Sequence, residues 1–360
     1  MQAFNVEIFQ RNFTLRSHTV VEDVQYSEDY LSPDDNELTL LTVDAQKGDY
    51  IRITNGNDEY FGIINTVSSK EEGLVKIGYK AFLSLFDTDC MFDTTLQGGT
   101  ASLEQTLANI ITSMFISNSD TSMNVPGLSV TTTSSTTGWG FNLKSDKENM
   151  HHCIINMLNV LIIRAMEKYR VRIKVVPDVQ NKTITLRIGR NTADAVTVEA
   201  DLPNVISKNV VIKETNNDVN KLVVYNTENY TTVRVYYLHP DGTYNTTNSN
   251  RIIPVVQEIR GTAPERNGDT ITKTFAQMAD SEAAEVFGSI EYNNLIELEM
   301  LNDDSLIKPY SMEVGQVVNV ISDGVSYSSI LTGRKIEQTT TLTFGTVRLD
   351  LTKILRRNNK

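Results

Sequence analysis

The sequence predicts an α+β, mainly β fold of several domains, with two related small β-barrel modules and an inserted α/β region. Three observations predict it. Most of the 360 residues fall in short runs rich in Val, Ile, Thr and Tyr between turn residues, the pattern of strands. Only three segments combine helical periodicity with a recognisable start or stop. One strand–turn–strand pattern occurs near both ends of the chain at a constant offset.

At about 150 residues per domain, this length predicts two to three domains and several cores that need no disulfide or metal. Lys and Arg number 33 against 45 Asp and Glu, a net charge of −12, the wrong sign for a surface devoted to phosphates. Cys90 and Cys153 are too few for a disulfide scaffold and lack a second Cys at metal-ligand spacing, so both read as reduced packing residues. The opening MQAFNVEIFQRNFTLR has no basic stretch before an apolar core and reads as no secretory signal, which places synthesis in a cytoplasm. The most apolar segment, Cys153 to Ile163, is interrupted by Asn156 and Asn159 and falls short of the roughly 20 residues of a membrane span. Sequons such as Asn229-Tyr230-Thr231 then carry no glycosylation meaning.

Taken in order, the first helix opens at Ser102, where Ser102-Leu103-Glu104-Gln105 has capping-box form and Leu103, Leu107, Ile110, Ile111 and Met114 share one face. From Ser117 to Gly140 the chain is polar; eight of the nine residues Ser129 to Thr137 are Ser or Thr, which suits a loop or an edge strand. Trp139, between Gly138 and Gly140, suits a carbohydrate platform or, more commonly, a loop docked on a core. A second helix is expected from the capping box at Ser145-Asp146-Lys147-Glu148 through Ile154, Leu158, Leu161, Ile162 and Ala165, with Arg164, Lys168 and Arg170 at its end. Strands 171–175 and 183–188 form a hairpin around Asn181-Lys182. Runs 209–213, 221–225 and 232–238 follow as one sheet, closed by His239-Pro240-Asp241-Gly242. The third helix, Phe275 to Phe287, stops at Gly288.

The repeat is the most informative feature. Gly48-Asp49-Tyr50-Ile51-Arg52-Ile53, six further residues and Tyr60-Phe61-Gly62-Ile63-Ile64 match Gly315-Gln316-Val317-Val318-Asn319-Val320, six residues and Tyr327-Ser328-Ser329-Ile330-Leu331, each offset by 267. In each, a turn at Asn55-Gly56 or Asp323-Gly324 reverses the chain. Each hairpin must close against further strands to hide its edges, so the pattern predicts two copies of one β-module. Three chains around an axis would then present six nearly equivalent surfaces and could seat on a sixfold ring.

Catalytic signals are absent from the sequence. The histidines are His18, His151, His152 and His239, with no H-E-x-x-H, and the adjacent His151-His152 do not have the spacing of a chelating pair. Cys153 lies in an apolar run and Cys90 among carboxylates, neither suited to a thiolate. Pairs such as Asp34-Asp35 or Asp303-Asp304 could serve a glycosidase only in a cleft. G-x-S-x-G, Walker A and G-x-G-x-x-G are all missing. No catalytic, cofactor or metal residue is therefore assigned. The basic run Lys353 to Lys360 reads as a solvated tail.

The segments Asn293-Asn294-Leu295-Ile296-Glu297-Leu298, Pro309, Gly315 to Val320 and Tyr327 to Gly333 resemble the tail-hub proteins of siphophages and prophages. That family is the structural N-terminal part of tail-associated lysins, also called prophage endopeptidase tail proteins. Gly48 to Ile51, Tyr60 to Ile64, Ile77-Gly78-Tyr79-Lys80 and Leu83 to Asp87 look similar too. The resemblance implies a fold like the baseplate hub of contractile-tailed phages. It implies a first β-barrel module over 1–100, a helix-containing α/β region over 101–205, a β-sheet region over 206–270 with the option of returning to the first module, and a second barrel over 271–360. It implies a non-enzymatic homotrimer at the virion tail tip, without cofactor or membrane span. Its partners would be a hexameric distal tail protein, a tape-measure protein and genomic DNA passing without specific binding through a channel that opens on infection. Alternatives are a peptidoglycan-degrading tail lysin and a carbohydrate-binding tail adhesin. Interface contacts are expected at Tyr50, Ile51, Ile53, Asn55, Gly56, Val317, Val318, Val320, Asp323 and Gly324.

Overall fold

The computed structural model describes residues 3–345 except 23, 30–35, 57, 70–72, 87, 89, 94–100, 138, 140–151, 156–161, 163–164, 167, 191–194, 213–218, 240–243, 249–254, 288–293, 303–306 and 308. Strands β1 (Phe4–Phe9), β2 (Leu15–Val21), β3 (Tyr26–Asp29), β4 (Asn36–Leu41), β5 (Tyr50–Asn55), β6 (Asp58–Ser69), β7 (Leu74–Ala81) and β8 (Cys90–Asp93) lead to helix α1 (Leu103–Phe115). Next come β9 (Leu128–Thr132), β10 (His152–Ile155), β11 (Val171–Asp178), β12 (Thr183–Arg190), β13 (Val196–Glu199) and β14 (Val205–Ile212). β15 (Lys221–Asn226), β16 (Val233–Leu238), β17 (Tyr244–Asn245), β18 (Gln257–Thr262), β19 (Glu265–Asn267) and β20 (Thr270–Lys273) precede α2 (Phe275–Phe287). β21 (Asn294–Leu301), β22 (Val317–Ser322), β23 (Val325–Ile336) and β24 (Thr339–Gly345) complete the described chain, which is α+β and mainly β as predicted.

Two arrays dominate. The first, of six strands, runs β2-β1-β5-β6-β7-β4; the second, of seven, runs β13-β22-β23-β24-β21-β14 with β3 added alongside β23. In each, the strand that precedes the hairpin in sequence (β4 or β21) lies beyond its third strand, a Greek-key order. The offset of 267 holds at all four strand ends of the hairpin: Tyr50 and Val317, Asn55 and Ser322, Asp58 and Val325, Ser69 and Ile336. It extends to a register shift in the long strand, between Ile64 and Thr66 in one copy and Leu331 and Gly333 in the other. Even the entry loop repeats, with Gly48 N–H donating to Ile64 O at 2.8 Å and Gly315 N–H to Leu331 O at 2.7 Å. Both glycines have left-handed φ, +91° and +87°, where a Cβ would be strained.

A three-stranded sheet, β11-β12-β9, carries α1 on one face. Leu107, Ile110, Ile111, Leu186 and Ile188 make its core. The Ser/Thr-rich run divides: up to Thr132 it is an edge strand, β9, paired in parallel with β12 with its polar side chains outward, and from Thr133 to Thr137 it is a loop. α1 starts where the capping box places it, Ser102 accepting from Gln105 N–H. The expected second helix needs correction. His152–Ile155, assigned to that helix from the spacing of apolar residues, is a strand paired with Cys90–Asp93. The two β-branched isoleucines in a row suit that pairing. Helical backbone is described only at 162, 165, 166, 168 and 169, and Ser145 to Glu148 lie outside the described residues. Ile162, Ala165, Met166 and Tyr169 are buried there at helical spacing, so the periodicity held for the C-terminal part alone.

The expectation of one sheet across 209–238 is also corrected. β15 and β16 lie in a four-stranded sheet, β17-β16-β15-β18, backed by α2, whereas Asn209 to Ile212 pair with β21 and extend the second array. The side-chain alternation that predicted each strand carries no information about its partner. α2 spans the predicted residues, with Ala279 and Ala283 against Leu222, Val224 and Tyr236; Gly288 lies outside the described residues.

Candidate functional surface: the hairpin tips and the junction between modules

The paired hairpins sort the expected interface residues into two kinds. Tyr50, Ile51, Ile53, Asn55, Val317, Val318 and Val320 are buried within the protein's own cores and present nothing to a partner. Ile51 and Ile53 pack with Ile8, Tyr60 and Ile77; Val318 and Val320 with Leu298, Leu331 and Phe344. Alternating apolar residues in a two-sided module are core by construction. Gly56, Asp323 and Gly324 are exposed. The second turn has φ +52° and +77° at Asp323 and Gly324, the conformation of a tight hairpin. In the first copy the matching turn begins at Gly56, and Asn55 is the closing strand residue opposite Asp58.

The second tip is braced from its own module. Asp323 N–H donates to Asp201 Oδ2 at 2.6 Å, and Lys208 Nζ reaches Asp201 at 2.5 Å and Asp323 at 2.9 Å.

Between the modules lies a charged junction. β3, which falls between two strands of the first module in sequence, pairs with β23 of the second, setting Glu28 opposite Arg334. Arg334 is 5% exposed. Its Nη1 donates to Asp58 Oδ1 at 3.0 Å and its Nε to Glu28 Oε2 at 3.0 Å. Tyr26 Oη donates to the other oxygen of Asp58, and the guanidinium carbon lies 6.0 Å from the Tyr26 ring centre. Burial raises the Tyr26 pKa, and the adjacent Asp58 adds to it. Burial opposes the Arg334 charge, yet Glu28 and Asp58 hold its pKa above the usual value. An arginine set among two carboxylates and a phenol thus ties β3 and β6 of the first module to β23 of the second.

Beside this cluster opens a cavity of about 340 Å³ where both modules meet β11, lined by Glu59, Phe61, Phe82, Arg172, Lys174 and Glu313 among others. Glu313 spans it, 3.0 Å from Arg172 Nη1 and 2.5 Å from Lys174 Nζ. Burial works against its charge, but Lys174 and Arg172 outweigh it and hold the carboxyl below the usual range. Arg172 also lies against Gly315, as Arg11 lies against Gly48 in the first copy. The repeated glycine loops are therefore each covered by an arginine, one from its own module and one from β11.

The remaining sequence candidates are dispersed. Trp139 is half-buried against the α1 core and donates Nε1–H to Ala101 O at 3.0 Å, so the indole docks its segment. His18 sits on β2 opposite Glu7, and His239 is buried. His151, Asp34-Asp35, Asp303-Asp304 and the tail 353–360 lie outside the described residues, as do the side chains of His152, Cys90 and Cys153. Among the described residues no group of three or more His, Cys, Asp or Glu is placed to hold a metal. No described helix is long and apolar enough to cross a membrane. Sequence reasoning missed Arg334, Asp58, Glu28 and Tyr26. A signal existed: at the offset of 267, Arg334 matches Val67 and Asp58 matches Val325, opposite-sign charges where the other copy is apolar.

Two Greek-key modules from one duplicated pattern, joined through a buried arginine and accompanied by an α/β unit, define the architecture. No protein-family model and no curated protein matches the sequence. Among solved structures, the chain is similar to the prophage MuSo2 43 kDa tail protein from Shewanella oneidensis, at 12% identity and TM-score 0.49, covering 95% of this chain and 97% of that one. It is similar to prophage tail protein gp18 from Listeria monocytogenes EGD-e, at 12% identity and TM-score 0.46, covering 98% and 97%. A chain of the phage P2 baseplate in its activated conformation with Ca gives 13% identity and TM-score 0.43, covering 96% and 98%.

Proposed function

We propose that the protein is a structural hub of a phage or prophage tail tip. Three copies would close the tail tube beneath a hexameric distal tail protein and open for DNA. The observation that carries this reading is the duplication: two modules alike to the residue in strand ends and bulge, held in fixed relation within one chain. A threefold assembly of such a chain offers six similar surfaces, matching a sixfold ring without six copies. The exposed tips at Gly56 and at Asp323-Gly324, the second braced by Asp201 and Lys208, are the repeated features that would meet that ring. A trimer would carry −36 from chains of −12 each, and channel walls that do not grip phosphates favour passage of DNA over its capture. The hub would act through its surfaces, with a tape-measure protein above it in the tube.

Light scattering of the full chain tests the reading. The expected mass is three times 40.3 kDa, and negative-stain averages should show a ring with near-sixfold modulation. A dimer or tetramer, or a monomer at every concentration both alone and with the distal tail protein, would refute it.

A further inference from the structure

Glu104 stands in the first turn of α1 and is fully buried, a rare place for a carboxylate unless donors meet its charge. Three donors do, all from the segment 133–139 that follows β9. Ser134 Oγ lies at 2.7 Å, Thr136 N–H at 2.7 Å and Thr136 Oγ1 at 2.8 Å. The N-terminal end of α1 adds its own positive potential. The same segment is tied at both ends. Thr133 N–H donates to Ile188 O at 2.8 Å and Arg190 N–H to Ser134 Oγ at 2.6 Å; beyond Glu104, Leu103 N–H donates to Thr136 O at 3.0 Å and Trp139 Nε1–H to Ala101 O at 3.0 Å.

We propose that Glu104 is the catch of an acid-released strap: the described residues of 133–139 are held across the start of α1 while the carboxylate is ionised, and are let go when it takes up a proton. Protonation replaces charge-assisted bonds by weaker neutral ones, and the new O–H can be accepted only by the Ser134 or Thr136 hydroxyl, which must then turn its own hydrogen away from the carboxyl. No ion pair involving Glu104 forms among the described residues. Glu104 is the only charged residue of α1, β9 has none, β8 has only Asp93, and Arg187 and Arg190 on β12 are exposed. Hydrogen bonds from the strap, together with Glu104's own N–H, are therefore what keep the charge. Burial works against that charge, but the bonds from Thr136 and Ser134 prevail and hold the carboxyl below its usual range. The strap is accordingly closed above the ordinary carboxylate pKa of about 4.3 and opens as pH falls through the lower, folded-state value.

Trp139 is the chain's only tryptophan and rides on the strap, so its fluorescence reports release directly. The full chain is titrated downward from neutral pH, with emission maximum and far-UV circular dichroism followed together. The expected result is a red shift that precedes loss of ellipticity. Glu104→Gln should emit red-shifted at neutral pH and lose the transition. Ser134→Ala with Thr136→Val, which removes two donors and leaves the carboxylate, should raise the midpoint by about one pH unit or more. Emission that stays constant until ellipticity collapses would overturn the proposal, as would wild-type titration in Glu104→Gln. Should Glu104→Gln fail to fold, the donor variant decides alone, an unmoved midpoint sinking the idea.

Discussion

Replacing Arg334 with Met is the sharpest test of how the two modules are joined. Met keeps most of the arginine's stem volume, so the change isolates the guanidinium. The consequence follows from what each partner has left. Glu28, whose side chain is 29% exposed, can turn to water. Asp58, at 5%, cannot, and among the described residues its carboxylate retains only the Tyr26 hydroxyl. Removing one member of a buried pair costs about 3–5 kcal/mol, mainly through the charge left behind. With one of the two carboxylates able to rehydrate, the expectation sits near the lower end, about 3 kcal/mol. Adding Asp58→Asn should recover about 1–2 kcal/mol by deleting the stranded charge.

Hydrogen exchange is the appropriate assay, because a chain of several cores need not unfold in one step. Amides of β3 and the facing end of β23 should lose protection in Arg334→Met, while those of β11 and β12 keep theirs. Urea melts of the same variants supply the magnitude. A loss under about 1 kcal/mol, or no recovery in the double variant, would mean that apolar packing sets the junction and the charges merely decorate it.

Further expectations concern the repeat and its surroundings. Gly48→Ala and Gly315→Ala each force a Cβ into a left-handed position already covered by an arginine, and should each cost more than about 1 kcal/mol in thermal melts; equal stability would contradict the repeated loop geometry. Glu313→Gln should weaken the bridge to Arg172 and Lys174, but the group is 46% exposed and solvent screening keeps the loss under about 1 kcal/mol. Because the folded-state pKa of Glu313 is lowered, that increment is present above the ordinary carboxylate pKa and fades as pH falls through the lower one, which melts of wild type and variant across acidic pH will show. Trp139→Ala should cost about 2 kcal/mol by opening a half-filled space on the α1 core, measurable by urea denaturation. If it left stability intact and abolished saccharide binding instead, the adhesin reading would gain over the hub. Incubation with purified cell walls should release no muropeptides.

Much of the fold was legible because its signals are local. Ser102 announces α1 through an oxygen that caps the third following residue, and α2 spans the Phe275 to Phe287 expected from a stop at Gly288. Short strands such as β3 and β8 went unread, but regular ones such as those at 171–175 and 183–188 were readable, since alternation is set by which side chains a pleat sends to each face. Partnership was not. Asn209 to Ile212 look the same whether beside β15 or β21, and nothing in Tyr26 to Asp29 says that this strand leaves its neighbours in sequence for a hairpin 300 residues away. The stretch from His152 to Ile155 shows the opposite hazard: a short apolar run fits both periods, and tertiary pairing with β8 decides.

The expected interface residues expose a limit of reading a repeat by what it preserves. Positions that match between the copies, such as Ile51 with Val318 or Ile53 with Val320, match because both modules need the same core, and they are accordingly buried. Positions that fail to match carry what each copy does alone. Arg334 against Val67, and Asp58 against Val325, break the correspondence with charges of opposite sign, and these two residues meet across the junction. Once duplicated, a module can join its twin only through changes that the twin does not share, since identical surfaces would favour pairing between chains as readily as within one. The unmatched charges thus meet within the chain, at a place where neither copy repeats the other.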